Sequence, residues 1–433
     1  MRKSSGVLSK DFNNITIVNM IIYSIIVIMP FVVVPKTIQP YIVGKAIYLY
    51  LIGIVLCLLM LFDRVKHKLS FEFKLEEKIL GIFFISLIIA TIFSVDIETA
   101  VMGKTGRYEG LIILGIYIIL FIVTNRYNKF TLKIMNVIGV VSSIMGIYTI
   151  TQFYGIDPLI KFLIFNDTSV DSYGTIGNRN YAGTYFLILL IIILSVYIIY
   201  NKKMFLVYSS ILFGGLLAAL TRSCWVGFII SALVALILLR KRKECLKRCL
   251  VIILIFVSIF LVLNITSNNK IVGRTNELIN DMKDFNGSSG SGRVRIWDMV
   301  LKSIYKKPIL GTGLDTLDSR LVLYQPNEFW DLAIKSGIVD KAHNEFLEYW
   351  ACGGLVTVLS YISLISVILY KLFKHREDDI SKIFMLTIVG YIVQSFFNNS
   401  VIAVAPLYWI LLGAAVKHYR DLDKAKAVQA IAD

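Results

Sequence analysis

The sequence predicts an all-α polytopic membrane protein, with about twelve transmembrane helices and a large extracytoplasmic loop between the ninth and the tenth. Of the 433 residues, 57% are hydrophobic and only 17% are charged, whereas soluble domains carry roughly 25% charged residues. The mean hydropathy is +0.73. A chain this apolar cannot cover its own core with polar surface, so these values exclude a soluble domain.

Apolar runs of about 15–23 residues recur along the chain, and most are long enough to cross a hydrocarbon layer of about 30 Å as a helix. Helices are expected because every backbone amide in lipid needs an internal hydrogen-bond partner. The predicted spans are residues 15–35, 43–62, 79–94, 109–123, 132–151, 181–200, 205–220, 224–239, 249–265, 348–370, 383–397 and 401–416. The two short runs within 205–239 are also compatible with re-entrant segments.

The distribution of Lys and Arg predicts the orientation, because cytoplasmic loops are enriched in these residues. One set of alternate segments holds 27 of the 45 Lys and Arg: 1–14, 63–78, 124–133, 201–204, 240–248, 371–382 and 417–433. The opposite short loops hold 7. Both termini are therefore predicted to be cytoplasmic. Most of the net charge of +16 follows from this topology, so a nucleic-acid partner, which a basic chain also suggests, is not expected.

The predicted spans divide the chain into four regions. Residues 1–265 carry the first nine helices, 266–342 form the large extracytoplasmic loop, 343–417 carry the last three helices, and 418–433 form a cytoplasmic tail. Within the large loop, residues 288–292 read SSGSG and predict a flexible joint.

An amphipathic helix is predicted directly after this joint. Trp297, Val300, Leu301 and Ile304 follow the i, i+3, i+4, i+7 spacing of one helix face, and the helix is expected to lie on the outer membrane surface or to cap the bundle. Arg293 precedes Trp297 by about one turn and shares the apolar face. An arginine in that position needs an anion, a cavity or lipid headgroups.

Three basic residues on the predicted outer side are candidates for chemistry. Of the 4 histidines, only His343 is predicted to face outwards; with an ordinary pKa near 6.5 it either accepts a proton at neutral pH or simply starts a helix. Arg222 lies in a short turn between two apolar runs, where a charge is costly and either snorkels or marks a site. Arg107 is also external, in a glycine-rich turn next to a span.

No metal site or cofactor is predicted. The 5 cysteines are scattered, and their spacing fits neither a zinc site nor a disulfide framework. Asp96 and Glu98 face outwards and are interpreted as a solvated turn. Glu345 and Glu348 share a helix face close to His343, where they are candidates to shape its hydrogen bonds or to contact a sugar.

The residues around His343 resemble a family motif. His343-Asn344, nine residues, Gly354, two residues and Thr357 fit the H-[NSQ]-x9-G-x-x-[GTY] pattern of bacterial O-antigen ligases. The chain resembles the wider superfamily of O-antigen ligases, O-antigen polymerases and bacterial O-oligosaccharyltransferases. Three other motifs follow in family order. Residues 177–182 (GNRNYA) resemble G-N-x-N-x-x-A, although the alanine comes one place early; 221–223 (TRS) resembles [ST]-R-x, and 293–313 resembles R-x3-W followed by P-x-x-G-x-G. One departure is Cys352, where relatives often carry an acidic residue; that role is either unfilled or passes to Glu348.

The resemblance implies a GT-C-like, metal-independent membrane transferase. It would move a glycan from an undecaprenyl (polyprenyl) diphosphate carrier to an acceptor hydroxyl at the outer face of the bacterial cytoplasmic membrane. His343 would be the general base and Arg222 and Arg293 would bind the donor diphosphate. The residues implied as support are Arg107, Asn178, Asn180, Asn344 and Glu348. The chemistry is sensible, because arginine binds phosphate bidentately and a positioned histidine removes a proton.

Several alternatives remain open. The acceptor is a glycan, a lipid or the cell wall, and the sequence does not separate a polymerase from a ligase or an oligosaccharyltransferase. A transporter, such as a polyprenyl-linked glycan flippase, is the rival from another class, although transporters favour charges near the bilayer midplane and here Lys and Arg fall in loops or at span edges. A peptidoglycan polymerase of the shape-elongation-division type would rely on an external Asp instead of a His.

Overall fold

The computed structural model describes residues 5–37, 39–67, 73–127, 131–163, 170–283 and 292–432. Within these ranges the regular elements are helices, and no strand occurs. The chain is thus an all-α polytopic membrane protein, as predicted. Residues 288–291 of the predicted flexible joint lie outside the described residues.

The helices follow one another with short connections. Their bounds are α1 (Ser5–Val27), α2 (Pro40–His67), α3 (Leu75–Ile92), α4 (Ile97–Met102), α5 (Leu111–Tyr127), α6 (Leu132–Phe153), α7 (Ile160–Leu163), α8 (Arg179–Tyr200), α9 (Lys203–Ala218), α10 (Arg222–Leu239), α11 (Lys243–Thr266), α12 (Lys270–Lys283), α13 (Arg293–Lys306), α14 (Leu317–Tyr324), α15 (Pro326–Ser336), α16 (Glu345–Gly353), α17 (Leu355–Lys374), α18 (Asp379–Ser395) and α19 (Ala405–Ala432). A turn of 3-10 helix at Met29–Phe31 follows α1.

Each of the predicted apolar runs overlaps a helix. In the described part of the chain, 6 helices are long and apolar enough to cross a membrane, namely α2, α6, α8, α10, α11 and α17, and three shorter apolar helices lie in α1, α5 and α9. The helical nature of the runs is therefore confirmed, and the number of crossings stays a prediction.

Helix α8 is the centre of the bundle. It is apolar on every face, and 94% of its most apolar window is buried against other helices, including α6, α9, α10 and α18, as expected of a helix without a polar side. In α11 the corresponding share is only 22%, and Leu250, Leu254 and Ile265 are largely exposed. Large exposed apolar side chains on such a helix are suited to contact with lipid.

The segment between α12 and α16 has a small core of its own. Met299, Val300 and Ile304 of α13 are buried together with residues of α14, α15 and α16. The predicted apolar face of α13 is correct for Val300 and Ile304, whereas Leu301 is 37% exposed. The buried face of α13 consists of Ile296, Met299, Val300, Ser303 and Ile304, so it is rotated from the predicted face towards Met299.

The predicted continuous span 348–370 is interrupted, which corrects the sequence-based expectation. Gly354 has φ +91, a left-handed conformation that ends α16 and separates it from α17. The segment after Pro308 packs into this break, where the Leu355 amide donates to the carbonyl of Ile309 at 3.2 Å and the Gly313 amide to that of Cys352 at 2.9 Å. The P-x-x-G-x-G motif thus packs against the break between α16 and α17.

Candidate active site

A polar cavity of about 190 Å³ lies where several helices begin. It is lined by Asn180, Leu220, Thr221, Arg222, Ser223, Arg274, Arg293 and His343. The structure therefore brings Arg222, Arg293 and His343 together, although they are far apart in the sequence. The described residues that line the cavity include three guanidinium groups and no carboxylate.

The starts of four helices surround this cavity. Helix α8 begins at Arg179, α10 at Arg222, α13 at Arg293, and α16 at Glu345, two residues after His343. Helix N-termini present unpaired amide groups and a partial positive charge. Together with the arginines, they make the cavity a favourable environment for an anion.

Contacts between the starts of α8 and α10 fix the turn that carries Arg222. The hydroxyl of Thr221 donates to the carbonyl of Arg179 at 2.8 Å, and Gly183 lets the helices approach closely, since a Cβ there would lie 2.7 Å from that of Thr221. The amide of Asn398 donates to the hydroxyl of Ser223 at 2.7 Å. The first turn of α10 is therefore held from two sides.

The backbone before His343 is fixed by two side chains. The Trp297 indole donates to the carbonyl of Ala342 at 3.0 Å, and the Ala342 amide donates to a Glu348 carboxylate oxygen at 2.8 Å. His343 itself has φ +49, a strained value for a residue with a side chain. The neighbouring contacts hold it in this conformation.

The backbone after His343 is fixed as well. The side-chain oxygen of Asn344 accepts from the amides of Phe346 at 3.0 Å and Leu347 at 3.1 Å, and so caps α16. The backbone amide of Asn344 donates to the side-chain oxygen of Asn399 at 3.1 Å. Asn344 thus shapes the loop and starts the helix.

The environment of His343 keeps its ring neutral. Burial lowers the pKa of His343 to about 4, and the nearby cations of Arg293, Arg107 and Lys341 act in the same direction, while Asp340 opposes them. A neutral imidazole at neutral pH has a lone pair that can accept a proton.

A buried ionic cluster lies beside the His343 loop. The Lys341 ammonium is 2.8 Å from Asp315 and 3.4 Å from both Glu109 and Glu348, and its side chain is only 6% exposed. Burial alone would lower the pKa of Lys341, but the three carboxylates raise it well above its usual range. Sequence reasoning missed Lys341 and Asp315, and the only available signal was that Lys341 lies two residues before His343.

Arg107 and Cys352, two residues singled out from the sequence, do not line the cavity. The Arg107 guanidinium donates to Asp340 at 2.7 and 2.9 Å and to the hydroxyl of Tyr181. The buried Cys352 thiol donates to Glu348 at 3.7 Å. Glu348 therefore lies between the cysteine and the backbone that precedes His343.

The other candidates have mixed positions. The Asn178 side chain accepts from the Asn180 amide at 2.8 Å and caps α8, so Asn180 lines the cavity and Asn178 supports it. Glu345 points into the bundle, where it accepts from Tyr361 at 2.7 Å and Tyr391 at 2.9 Å. The expectation that Glu345 helps to shape hydrogen bonds at His343 or contacts a sugar finds no support in these contacts.

Arg274 on α12 is a third cavity arginine that sequence reasoning missed. Its Nε lies 3.5 Å from the carbonyl oxygen of Leu220, the residue before the Thr221 turn. The available signal was Ile271, which lies three residues before Arg274 and therefore on the same helix face.

Carboxylates show no clustering suited to a metal in the described ranges, where no group of three or more His, Cys, Asp or Glu residues is placed to hold a metal ion. Asp96 caps α4 by accepting from the amide and hydroxyl of Thr99 at 3.1 and 2.7 Å.

Comparison with family models gives a match to part of the chain. Residues 207–362 match the family model described as O-antigen ligase. This region includes Arg222, Arg274, Arg293 and His343 of the cavity. No curated protein matches the sequence.

Proposed function

We propose that this chain, a multi-pass membrane protein whose match over residues 207–362 supports membership of the O-antigen ligase superfamily, transfers a glycan from an undecaprenyl-diphosphate-linked donor to an acceptor hydroxyl at the outer face of the bacterial cytoplasmic membrane. The observation that carries the proposal is the shared cavity of Arg222, Arg293 and His343 at the starts of four helices.

Arg222 and Arg293 bind the donor diphosphate. A guanidinium stays charged at any physiological pH and can donate two parallel hydrogen bonds to phosphate oxygens. When the bond between the sugar carbon and the diphosphate oxygen breaks, the oxygen keeps the electron pair. Positive charge arranged beforehand around that oxygen stabilises the transition state.

His343 is the general base. It takes the proton of the acceptor hydroxyl while the acceptor oxygen forms the new bond to the sugar carbon, and a base in this position typically contributes about 10²–10⁴-fold in rate. The low pKa of the ring keeps it neutral before the donor arrives. The bound diphosphate then offsets the neighbouring cations and makes the ring more basic.

The remaining residues position the proposed base and the diphosphate-binding arginines. Glu348 and Asn344 hold the backbone on the two sides of His343, and Asn178 and Asn180 order the start of α8. Arg107 contributes positive charge near the His343 ring, partly offset by Asp340.

We also propose twelve membrane crossings, with both termini in the cytoplasm and residues 266–342 outside. This topology is supported by contacts within each predicted side: Val95 with Thr312 on the outer side, and Arg420 with Glu76 on the inner side. The domain boundaries are the four sequence regions 1–265, 266–342, 343–417 and 418–433. Single cysteines replacing Lys302 and Lys424 in a cysteine-free chain test it: an impermeant maleimide should label only the first in intact cells.

The transfer is proposed to be metal-independent, because the cavity arginines take the role of a divalent cation. EDTA should leave the activity of the purified protein unchanged. A clear loss that manganese restores would instead implicate Asp96 and Glu98.

Substitution of the base tests the function directly. In a purified transfer assay, His343→Ala should lower kcat by about 10²-fold or more while donor binding persists, and Arg222→Ala or Arg293→Ala should weaken donor binding. His375→Ala is the matched control, since His375 pairs with Asp423 far along the chain from the cavity residues. Full activity of His343→Ala would remove the proposed base.

The acceptor class is tested in cells. After deletion of the gene, single short repeats in the surface glycan would identify a polymerase, and unattached long chains would identify a ligase. A surface glycan of normal length and attachment would contradict both.

A further inference from the structure

One face of helix α12 borders two cavities, one polar and one apolar. Its Arg274 lines the polar cavity described above. Ile271 and Thr275 of the same helix line an apolar groove of about 440 Å³. These three residues are spaced i, i+3 and i+4 and so share one helix face. One short helix therefore borders both cavities.

The groove lies among α8, α9, α10 and α11, and its lining includes the exposed apolar side chains of Ile229, Ile253 and Val257. Its walls come from α8, α9, α10 and α11 and include Phe213, Trp225, Phe228 and Phe256. Trp225 lies on α10 only three residues after Arg222, which lines the polar cavity. The groove and the polar cavity are thus lined by neighbouring residues of the same two helices, α10 and α12.

Helix α12 is anchored well enough to hold an arginine in place. Ile271 is 1% exposed, the Lys270 ammonium donates to the carbonyl of Phe153 at 3.1 Å, and the Val272 amide donates to Asn264 at 3.0 Å. Arg274 itself donates to the carbonyl of Leu220 at 3.5 Å.

We propose that Arg274 is a third diphosphate-binding arginine, carried on a helix that joins the polar cavity to a groove for the isoprenoid chain of the donor. This inference rests on the proposed function. The occupant of the groove follows from continuity: a carrier whose diphosphate lies between Arg222 and Arg274 has its lipid chain attached next to Thr275 and Trp225.

The chemistry gives the third arginine a distinct task. The donor diphosphate is esterified at both ends, and when the sugar leaves, the terminal phosphate gains a further negative charge. A guanidinium that is not required to neutralise the donor can stabilise this added charge. Arg274 should therefore matter more for the free carrier diphosphate than for the esterified donor.

Direct binding to the full-length protein in lipid nanodiscs tests the proposal. The probes are inorganic pyrophosphate, farnesyl diphosphate and undecaprenyl diphosphate. Arg274→Gln should weaken the binding of all three by about 10-fold or more, in line with a lost charge-assisted hydrogen bond, and Arg274→Lys should recover part of the loss. Lys302→Gln, which removes an exposed charge paired with Asp298, is the control and should bind like the wild type.

The groove is tested by filling it. Ala232→Phe, at a groove position on α10, should weaken farnesyl and undecaprenyl diphosphate several-fold and leave pyrophosphate unchanged. If this variant bound all three probes with the same affinities as the wild type, the groove assignment would be overturned.

The salt dependence of pyrophosphate binding distinguishes a direct phosphate contact of Arg274 from a purely structural role. If Arg274 touches the phosphate, the affinity of Arg274→Gln for pyrophosphate should fall less steeply with salt than that of the wild type. An unchanged affinity and slope would overturn the inference, and Arg274→Met, which also removes the charge, gives the same reading if the glutamine variant does not fold. If Arg222→Ala weakens pyrophosphate binding while Arg274→Gln does not, only this inference fails; if neither does, the proposed donor site fails as well.

Discussion

The indole of Trp297 donates a hydrogen bond to the carbonyl oxygen of Ala342, 3.0 Å away, and so ties α13 to the residue that precedes His343. Helix α13 also begins with Arg293, which lines the cavity. One helix thus carries a proposed phosphate-binding group and positions the proposed base.

Trp297→Phe should therefore lower turnover without abolishing it. The phenyl ring keeps the packing against Phe397, whose ring centre lies 6.1 Å from that of Trp297, and only the hydrogen bond is lost. A net hydrogen bond is worth about 0.5–1.5 kcal/mol, so we expect kcat to fall about 3- to 10-fold with the KM for donor little changed. Trp330→Phe, on the exposed side of α15, should be neutral, and an equal loss in both variants would argue against a specific role for Trp297.

Gly354→Ala should destabilise the protein strongly. The residue has φ +91, and a Cβ would overlap the Ile309 carbonyl. The left-handed conformation alone costs about 1–3 kcal/mol in a residue with a side chain. Gly273→Ala on α12 is the control, because a Cβ there meets nothing within 4 Å and a helical Gly→Ala change is favourable by up to about 1 kcal/mol. Thermal unfolding in detergent distinguishes them, and equal unfolding temperatures would show that the break does not need glycine.

The value of kcat/KM should persist to lower pH than it would with a histidine base of ordinary pKa. The pKa of His343 is lowered to about 4, so kcat/KM, which reports the free enzyme, should stay on its plateau as pH falls through 6.5 and decline only at lower pH. Arg107→Gln removes a cation that lowers this pKa and leaves Asp340, which raises it. Both effects move the acid limb of the profile to higher pH. A wild-type limb at 6.5, or no shift in the variant, would contradict the proposed base.

Lys341→Met should lower the stability of the protein, measured by unfolding in detergent. The substitution leaves Asp315, Glu109 and Glu348 without their shared cation, and removing one partner of a buried ion pair costs about 3–5 kcal/mol. Asp315→Asn added to Lys341→Met should restore part of the loss, since neighbouring groups are not additive. Lys247→Met, in an exposed pair with Glu244, should not change unfolding in detergent. Additive losses in the double variant would mean that the cluster is not a coupled unit.

The helices were predictable from the sequence because an apolar run long enough to cross a bilayer must satisfy its own backbone hydrogen bonds, as a helix does. The break at Gly354 was not, since it depends on residues 309–313 packing against α16 and α17. Likewise the pattern of α13 placed Val300 in the core correctly, but the position of Leu301 depends on where α14 and α15 pack.

In the candidate site, the residues that could be proposed from the sequence were those with a local anomaly. Arg222 and Arg293 are charges beside apolar residues, and His343 was the lone outward histidine. The sequence marks Arg274 only by its spacing from Ile271, and Lys341 only by its closeness to His343, so their place in the site depends on the tertiary structure. Glu345 shares a helix with Glu348, yet its orientation is set by Tyr361 and Tyr391, which are distant in the chain.

The four helix starts around the cavity have a practical consequence for work with the purified protein. The partial positive charge of these helix starts adds to that of the three arginines lining the cavity, and both attract any compact oxyanion, whichever molecule bears it. Sulfate from crystallisation screens and phosphate from common buffers should therefore compete with substrate, and assays in buffers free of both should give the highest apparent affinity.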